Sequence, residues 1–154
     1  MSMLLDRLAQ GPLLADGAMG TMLYAHGVAF DHSFDALNLL QPGVVAEVHR
    51  AYIDAGADLI VTNTFGANRY KLTPAGLGER VAEVNQAAVS LARRVVAASF
   101  KPVLVAGDVG PLGVRLAPFG RVKPEQAYAA FHEQIAALVE AGVDLMQFAA
   151  TRPG

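Results

Sequence analysis

The residues best suited to chemistry in this sequence stand directly after short apolar runs. In the segment 57–68, the apolar run 59–61 is followed by hydroxyl, amide and glycine residues, among them Asn63 and Phe65. A short apolar run bounded by such residues predicts a buried strand that ends in a polar loop. In parallel α/β proteins ligands bind at that end, because the connecting loops gather there. Asn63 is therefore predicted to hold a ligand carboxylate or carbonyl and Phe65 to wall the pocket; a network that only orders the loop is the alternative.

A carboxylate follows the earlier apolar run 13–15, in the sequence Asp16-Gly17-Ala18-Met19-Gly20. At the rim of a strand, Asp16 could accept hydrogen bonds from a ligand ammonium group. Gly17 and Gly20 would let the backbone turn sharply and approach a ligand closely. Asp16 is equally suited to cap the short helix that follows, so both interpretations stand at this point.

Two further polar groups are weaker candidates for the same site. Asp108 follows the apolar run 103–106 and begins a loop with Gly110, Pro111 and Gly113, which is most easily interpreted as a turn. Asn38 precedes a predicted helix and could enter the site from a loop, although a single asparagine is more often a turn residue.

The spacing of the histidines and the absence of cysteine argue against a metal site. His26, His32, His49 and His132 lack the spacing of paired metal ligands, and His49 and His132 are predicted to be solvated helix residues. The chain has no cysteine, which excludes disulfides, cysteine nucleophiles and thiolate zinc sites built from its own residues.

Composition bounds the class of protein. The 154 residues suffice for one domain with a core. No apolar run approaches the roughly 20 residues of a transmembrane helix, and the start lacks the pattern of a signal peptide. Twelve Lys and Arg against 14 Asp and Glu, with no basic block, argue against nucleic acid as a partner. We therefore expect a cytoplasmic protein without a membrane partner.

The elements that must position these residues alternate along the chain. Amphipathic stretches separate the apolar runs, and two joins are built alike, Ala-Gly-Ala-Asp-Leu at 55–59 and Ala-Gly-Val-Asp-Leu at 141–145. Strands about 40 residues apart with a helix in each gap require parallel pairing. The predicted order is βαβαβαβ, with strands at 13–15, 59–61, 103–106 and 145–148 and helices at 42–55, 79–98 and 124–141. The pattern alone allows a small doubly wound sheet or the first half of an eight-stranded barrel.

Four segments, in this order, resemble the homocysteine S-methyltransferase family. They are LADGAMGT at 14–21, EVHRAY at 47–52, AGADLIVTNTFGAN at 55–68 and GDVGPLG at 107–113. The family includes betaine-dependent enzymes and the homocysteine domain of cobalamin-dependent methionine synthase. The resemblance covers the chain to about Phe148.

The resemblance implies the first half of a TIM (β/α)8 barrel. Residues 1–148 would be a partial homocysteine-binding domain and residues 149–154 a divergent or frameshifted tail. It implies transfer of a methyl group from a donor to the homocysteine thiol, which makes methionine, with Zn²⁺ holding the sulfur as thiolate. Substrate-binding residues carried over from the family are Asp16 and Gly17, at the amino-acid end of homocysteine, and Asn63 and Thr64, in the pocket wall; Asn38 is added from the loop.

Two departures from the family pattern accompany the resemblance. The family's three cysteine zinc ligands have no counterpart in this chain. The Glu-Thr pair expected after the fourth strand is replaced by Phe148-Ala149-Ala150. We therefore expect a truncated or frameshifted form of a methyltransferase that is inactive as the isolated chain. The alternatives are a non-catalytic amino-acid-binding module, and a half-barrel that self-associates or pairs with a second half-barrel chain.

Overall fold

Parallel strands and the helices that cover them make up the described part of the computed structural model, residues 3–29 and 33–149. The sheet has the order β1-β2-β3, and both pairings are parallel, with Leu59 opposite Leu104 and Ala106 opposite Leu145. The chain is therefore an α/β protein with parallel strands, as predicted. The strands are β1 (Leu59–Val61), β2 (Leu104–Val109) and β3 (Leu145–Phe148); the helices are α1 (Met3–Leu8), α2 (Met19–Ala25), α3 (Leu37–Leu40), α4 (Pro42–Asp54), α5 (Arg69–Leu72), α6 (Val81–Ser99) and α7 (Pro124–Glu140).

The predicted first strand is reduced to a single bridge. Ala15 pairs in parallel with Leu59, and the Leu14 carbonyl accepts hydrogen bonds from the N–H groups of Asp58 and Leu59. Within the described part of the chain, the segment pairs with a strand on this side only, and Leu14 is exposed. It therefore lies beside β1 as a fourth parallel segment without forming a regular ladder.

Strand β2 is longer than predicted, because it continues from Leu104 through Asp108 to Val109. All six of its residues are buried, since it lies between β1 and β3. The placement of Asp108 in a turn was therefore wrong: the pairing of Asp108 with Gln147 on β3 keeps the chain extended beyond the apolar run.

The three long helices lie where the sequence pattern places them, within two residues at each end. Helices α4 and α6 pack on the outer face of the sheet, where Ile53, Ile60, Ala92 and Val105 share one cluster. Leu59, Leu104 and Ala106 form a second cluster with Leu4 of α1 against them. None of the helices within residues 3–29 and 33–149 combines the length and hydropathy needed to cross a bilayer. The tail from 150 onward and His32 lie outside the described residues.

The two similar joins share one hydrogen-bond pattern. The Asp58 N–H donates to the Leu14 carbonyl at 2.8 Å, and Asp58 Oδ2 accepts from the Leu14 N–H at 3.0 Å. Asp144 repeats both bonds with Val105, each at 2.8 Å. Each carboxylate is also paired with an arginine, Arg7 with Asp58 at 3.0 Å and Arg93 with Asp144 at 2.9 Å. The aspartate therefore fixes the start of its strand against the preceding strand segment.

His49 corrects one expectation from the sequence. It is fully buried, not solvated, because it lies with Val45, Val48 and Ile53 on the inner stripe of α4. Neither ring nitrogen has a hydrogen-bond partner among the described residues. Burial lowers the pKa of His49 from 6.5 to about 4. His132, by contrast, is exposed as predicted.

The buried imidazole should make the protein sensitive to acid. At pH values between 6.5 and about 4, His49 is protonated in the unfolded chain and neutral in the folded chain. The free energy of unfolding therefore decreases as the pH falls through this window. We expect the stability advantage of His49→Leu over wild type to be about 2 kcal/mol larger at pH 5 than at pH 8. Urea unfolding at the two pH values measures it. The same replacement at exposed His132 should change stability by less than about 0.5 kcal/mol, and an equal advantage of His49→Leu at both pH values would contradict the assignment.

Candidate functional site

A pocket of about 560 Å³ opens at the carboxyl ends of the parallel strands. Each strand segment contributes a polar residue to its wall: Asp16, Asn63, Asp108 and Gln147. This is the position at which parallel α/β folds bind ligands. The complete lining is Asp16, Gly17, Ala18, Met19, Gly20, Phe34, Asp35, Val61, Thr62, Asn63, Phe65, Asp108 and Gln147.

Asp16 faces the strands and does not cap a helix. Its Oδ2 accepts a hydrogen bond from the Val61 N–H at 3.0 Å. Helix α2 has Ala18 at its N-cap with no side-chain hydrogen bond, so the capping interpretation was wrong. Asp16 Oδ1 has no hydrogen-bond partner among the described residues. Burial, and to a lesser extent the charge of Asp108, raises the pKa of Asp16 from 3.8 to about 6.

Gly17 keeps the loop after Asp16 close to helix α4. A Cβ atom at Gly17 would lie 2.9 Å from the hydroxyl of Tyr52. That hydroxyl donates to the Ala18 carbonyl at 2.9 Å and so ties the loop to α4. A side chain at position 17 would displace either the loop or the Tyr52 ring, so glycine permits this close approach.

Asn63 lines the pocket, but its side-chain N–H groups donate to other residues of the protein. Its Nδ2 donates to the Phe34 carbonyl at 2.7 Å and to Asn38 Oδ1 at 3.3 Å. Asn38 in turn donates from Nδ2 to the Asn63 carbonyl at 2.7 Å. Asn38 is buried in the short helix α3 and is not part of the pocket wall. The two asparagines therefore hold the segment 34–38 against the end of β1.

Thr64 lies beneath the pocket rather than in its wall. Its hydroxyl donates to the Asp108 carbonyl at 2.8 Å and lies 2.7 Å from the hydroxyl of Thr62. Its carbonyl accepts from Gln134 Nε2 of α7 at 2.8 Å, and Gln134 is also 3.4 Å from the Asp108 carbonyl. All of these residues are buried. The network joins the ends of β1 and β2 to helix α7, and the sequence pattern gave no indication of Gln134.

Two more carboxylates belong to the pocket. Asp108 is 9% exposed, its Oδ1 has no partner among the described residues, and burial raises its pKa to about 6. Asp35, which the sequence did not single out, accepts from the Gly66 N–H at 2.9 Å. Burial raises the pKa of Asp35 to about 6 despite that bond and the attraction of Lys71. The pocket therefore holds three carboxyls whose burial disfavours their charged forms.

Phe65 forms part of the wall, and a cation lies outside it. The Lys71 ammonium stands 4.7 Å from the centre of the Phe65 ring. At that distance the ring and the ammonium attract each other. The Gly110 N–H also donates to the Phe65 carbonyl at 3.1 Å, which joins the loops after β1 and β2.

The residues present do not fit a thiolate metal centre. The chain contains no cysteine. Within residues 3–29 and 33–149, no three His, Asp or Glu side chains are grouped so that they could hold a metal ion. The three pocket carboxylates are therefore not arranged as a metal site.

Comparison with known sequences relates the chain to methyl-transferring proteins. A family model described as homocysteine S-methyltransferase matches residues 13–151. Methionine synthase of Mycobacterium tuberculosis (strain ATCC 25618 / H37Rv) is 33% identical over an alignment of 150 residues, with 92% of this chain and 12% of that protein covered. Homocysteine S-methyltransferase of Escherichia coli (strain K12) is 35% identical over 163 residues, with 93% of this chain and 50% of that protein covered.

Comparison with solved structures agrees. The metallated form of the homocysteine methyltransferase MmuM from Escherichia coli superposes with a TM-score of 0.80 at 29% identity. The match covers 94% of this chain and 56% of that one. The apo form of the same protein matches with a TM-score of 0.62 over 87% of this chain and 47% of that one. The chain thus spans about half the length of these methyltransferases and a much smaller part of the methionine synthase.

Proposed function

This chain belongs to the homocysteine S-methyltransferase family, and we propose on that basis that its pocket holds the amino-acid end of homocysteine. The observation that carries the proposal is the placement of Asp16 at the pocket wall with one oxygen unpartnered. A carboxylate in this position suits the ammonium group of an amino acid, because a charge-assisted hydrogen bond satisfies both partners. Gly17 lies beside it and leaves the backbone open to the ligand.

The other predicted site residues have supporting roles in this proposal. Asn63 contributes to the wall, Asn38 fixes its orientation, and Thr64 supports the strand end from below. The substrate would therefore touch Asp16 and Gly17 first. The part of the wall that Asn63 forms is preorganised, because its side chain is already hydrogen-bonded within the protein.

Activation of the sulfur is a separate requirement. A thiol is mostly protonated at neutral pH, and Zn²⁺ coordination would hold it as the thiolate nucleophile. The family's cysteine ligands are absent from this sequence, so its residues do not fit the metal. We propose that the chain binds homocysteine without activating it, and that transfer from a methyl donor requires groups that this sequence does not supply.

The finer architecture is also a proposal. Four parallel segments and their helices would form one half of an eight-stranded barrel, since the superposed methyltransferase is nearly twice as long. The second candidate function, a half-barrel module that self-associates or pairs with another polypeptide, is favoured by one observation. Phe148, at the end of the outer strand β3, is 63% exposed.

Calorimetric titration with L-homocysteine under reducing conditions tests the proposed function. We expect binding by wild type and about tenfold weaker binding by Asp16→Asn, because the amide keeps the shape of the side chain but removes the charge. Asp54→Asn, an exposed aspartate on α4, is the charge-matched control and should bind as wild type does. Absence of homocysteine binding would refute the proposal. Methionine formed by the pure protein from homocysteine and a methyl donor would refute the claim that it does not activate the thiol.

A further inference from the structure

Asp108 is a pocket carboxylate to which the proposed function assigns no role. It stands at the end of β2, it is 9% exposed, and it lines the pocket wall. Its Oδ1 has no hydrogen-bond partner within the described ranges. A buried carboxylate oxygen without a partner costs free energy, so a feature of this kind points to a missing positive group or donor.

Asp16 has the same deficiency in the same pocket. Its Oδ1 also lacks a partner in the described part of the chain, while its Oδ2 is held by the Val61 N–H. Asp16 and Asp108 line the same pocket, and the charge of Asp108 contributes to the raised pKa of Asp16. A cation bound in the pocket near both carboxyls would offset their mutual repulsion.

The chemistry of the donors decides which cation fits. Within residues 3–29 and 33–149 no three His, Asp or Glu side chains are grouped so that they could hold a metal ion. A primary ammonium group carries three N–H donors on one atom and can therefore bond to two carboxylates at once. Gln147 of β3 adds a neutral side chain to the same wall.

We propose that Asp108 and Asp16 together form a two-carboxylate receptor for the primary ammonium group of an amino acid. This rests on the proposed function, which assigns the ammonium to Asp16, and adds Asp108 as a residue that determines specificity. The receptor selects a ligand by its amino group, whatever its side chain. A 2-hydroxy acid of the same size would bring a neutral hydroxyl, and it would leave two negative groups facing each other.

Binding should be coupled to proton release. Without ligand, Asp16 and Asp108 each have a pKa of about 6, and an ammonium would lower both because it favours the charged forms. Among the described residues, Asp35 interacts electrostatically with Asp108 and Lys71, and Tyr52 interacts with Asp16. Affinity for an amino acid is therefore expected to rise from pH 5 to pH 7.5, as the two carboxyls become ionised.

The decisive probes are L-2-aminobutyrate and L-2-hydroxybutyrate, which differ only in the amino group and contain no sulfur. At pH 7.5, Asp108→Asn should bind 2-aminobutyrate about tenfold more weakly than wild type. It should bind 2-hydroxybutyrate no more weakly than wild type, because the hydroxyl does not need the charge. Asp54→Asn is again the matched control. An unchanged affinity for the amino acid, or equal losses for both probes, would overturn the role of Asp108.

Proton counting keeps the proposal testable if Asp108→Asn does not fold. Titration of Asp35→Asn with 2-aminobutyrate at pH 6, in two buffers of different ionisation enthalpy, measures the protons released. A single carboxyl with a pKa near 6 releases at most about half a proton there, whereas two release up to about one. Proton release that persists when Asp16→Asn is added to this variant supports the role of Asp108, and its complete loss overturns it. Since neither probe contains a thiol, a failure of homocysteine methylation leaves this result unaffected.

Discussion

Replacement of Gln134 by alanine is expected to lower the free energy of unfolding by about 3 kcal/mol. Gln134 is fully buried on α7 and donates to the Thr64 carbonyl at 2.8 Å, with the Asp108 carbonyl 3.4 Å away. Alanine would remove that donor beside a new cavity, and it would leave the Thr64 carbonyl with the Ala67 N–H and the Asp108 carbonyl with the Thr64 hydroxyl. Because Thr64 follows β1 and Asp108 lies in β2, the loss would loosen the floor of the pocket. Urea unfolding at pH 7 measures the change.

Two further variants separate the causes of that loss. Gln134→Met keeps most of the volume but removes the donor, so it should recover the cavity contribution and retain the hydrogen-bond contribution. Gln86→Ala makes the original substitution on the exposed face of α6 and should stay within about 0.5 kcal/mol of wild type. A Gln134→Ala protein as stable as wild type would show that Gln134 does not join the strand ends.

Replacement of Asp35 by asparagine is expected to stabilise the protein by about 2 kcal/mol at pH 7.5. Burial raises the pKa of this carboxyl from 3.8 to about 6, so its ionised form opposes folding. Asparagine keeps an oxygen that can accept from the Gly66 N–H. The gain should disappear at pH 4, where the wild-type carboxyl is protonated in the folded chain. Chemical unfolding of both proteins across this pH range tests the expectation.

The sign of the pH effect follows from proton binding. A group with a raised pKa in the folded state holds its proton longer there, so its contribution to stability is present below pH 3.8 and is lost as pH rises through 6. Asp16 and Asp108 act in the same direction, and His49 acts in the opposite one. A wild-type protein whose stability rises steadily from pH 4 to pH 7 would contradict the dominance of the carboxyls.

The apolar runs predicted where the strands lie, but they did not predict where β2 ends or how far the segment 13–15 pairs. The runs at 59–61 and 145–148 coincide with β1 and β3, since a short apolar segment between polar loops has few other ways to be buried. Strand β2 extends to Asp108 because Gln147 on β3 pairs with it. That pairing depends on a residue far along the chain, so local composition cannot predict it. The segment 13–15 fails as a strand for a related reason, since its ladder is incomplete.

The candidate site was predictable where a residue follows its own strand. Asp16 and Asn63 line the pocket for this reason, and Phe65 does so with them. The residues that form hydrogen bonds with them, or that carry charges near them, could not be predicted from the sequence. Asn38 and Asp35 reach the pocket region through the fold of the segment 33–40.

His49 was misassigned because its polar character outweighed its position on the helix. Its spacing from Val45 and Ile53 already places it on the buried stripe of α4. Helical period was therefore the better guide to burial than residue type. The cost of burying the ring, which sequence alone does not give, appears only in its lowered pKa.

The aspartates directly before β1 and β3 make the same kind of connection to a neighbouring strand segment. Asp58 and Asp144 each bind the N–H and carbonyl of one residue in the preceding strand segment. Each aspartate therefore fixes the register of the strand that follows it. The same Gly-x-Asp sequence and the same two hydrogen bonds thus set the register of two different strands. Chimeras that exchange units at these two positions should therefore keep the strand alignment that exchanges within a strand would disturb.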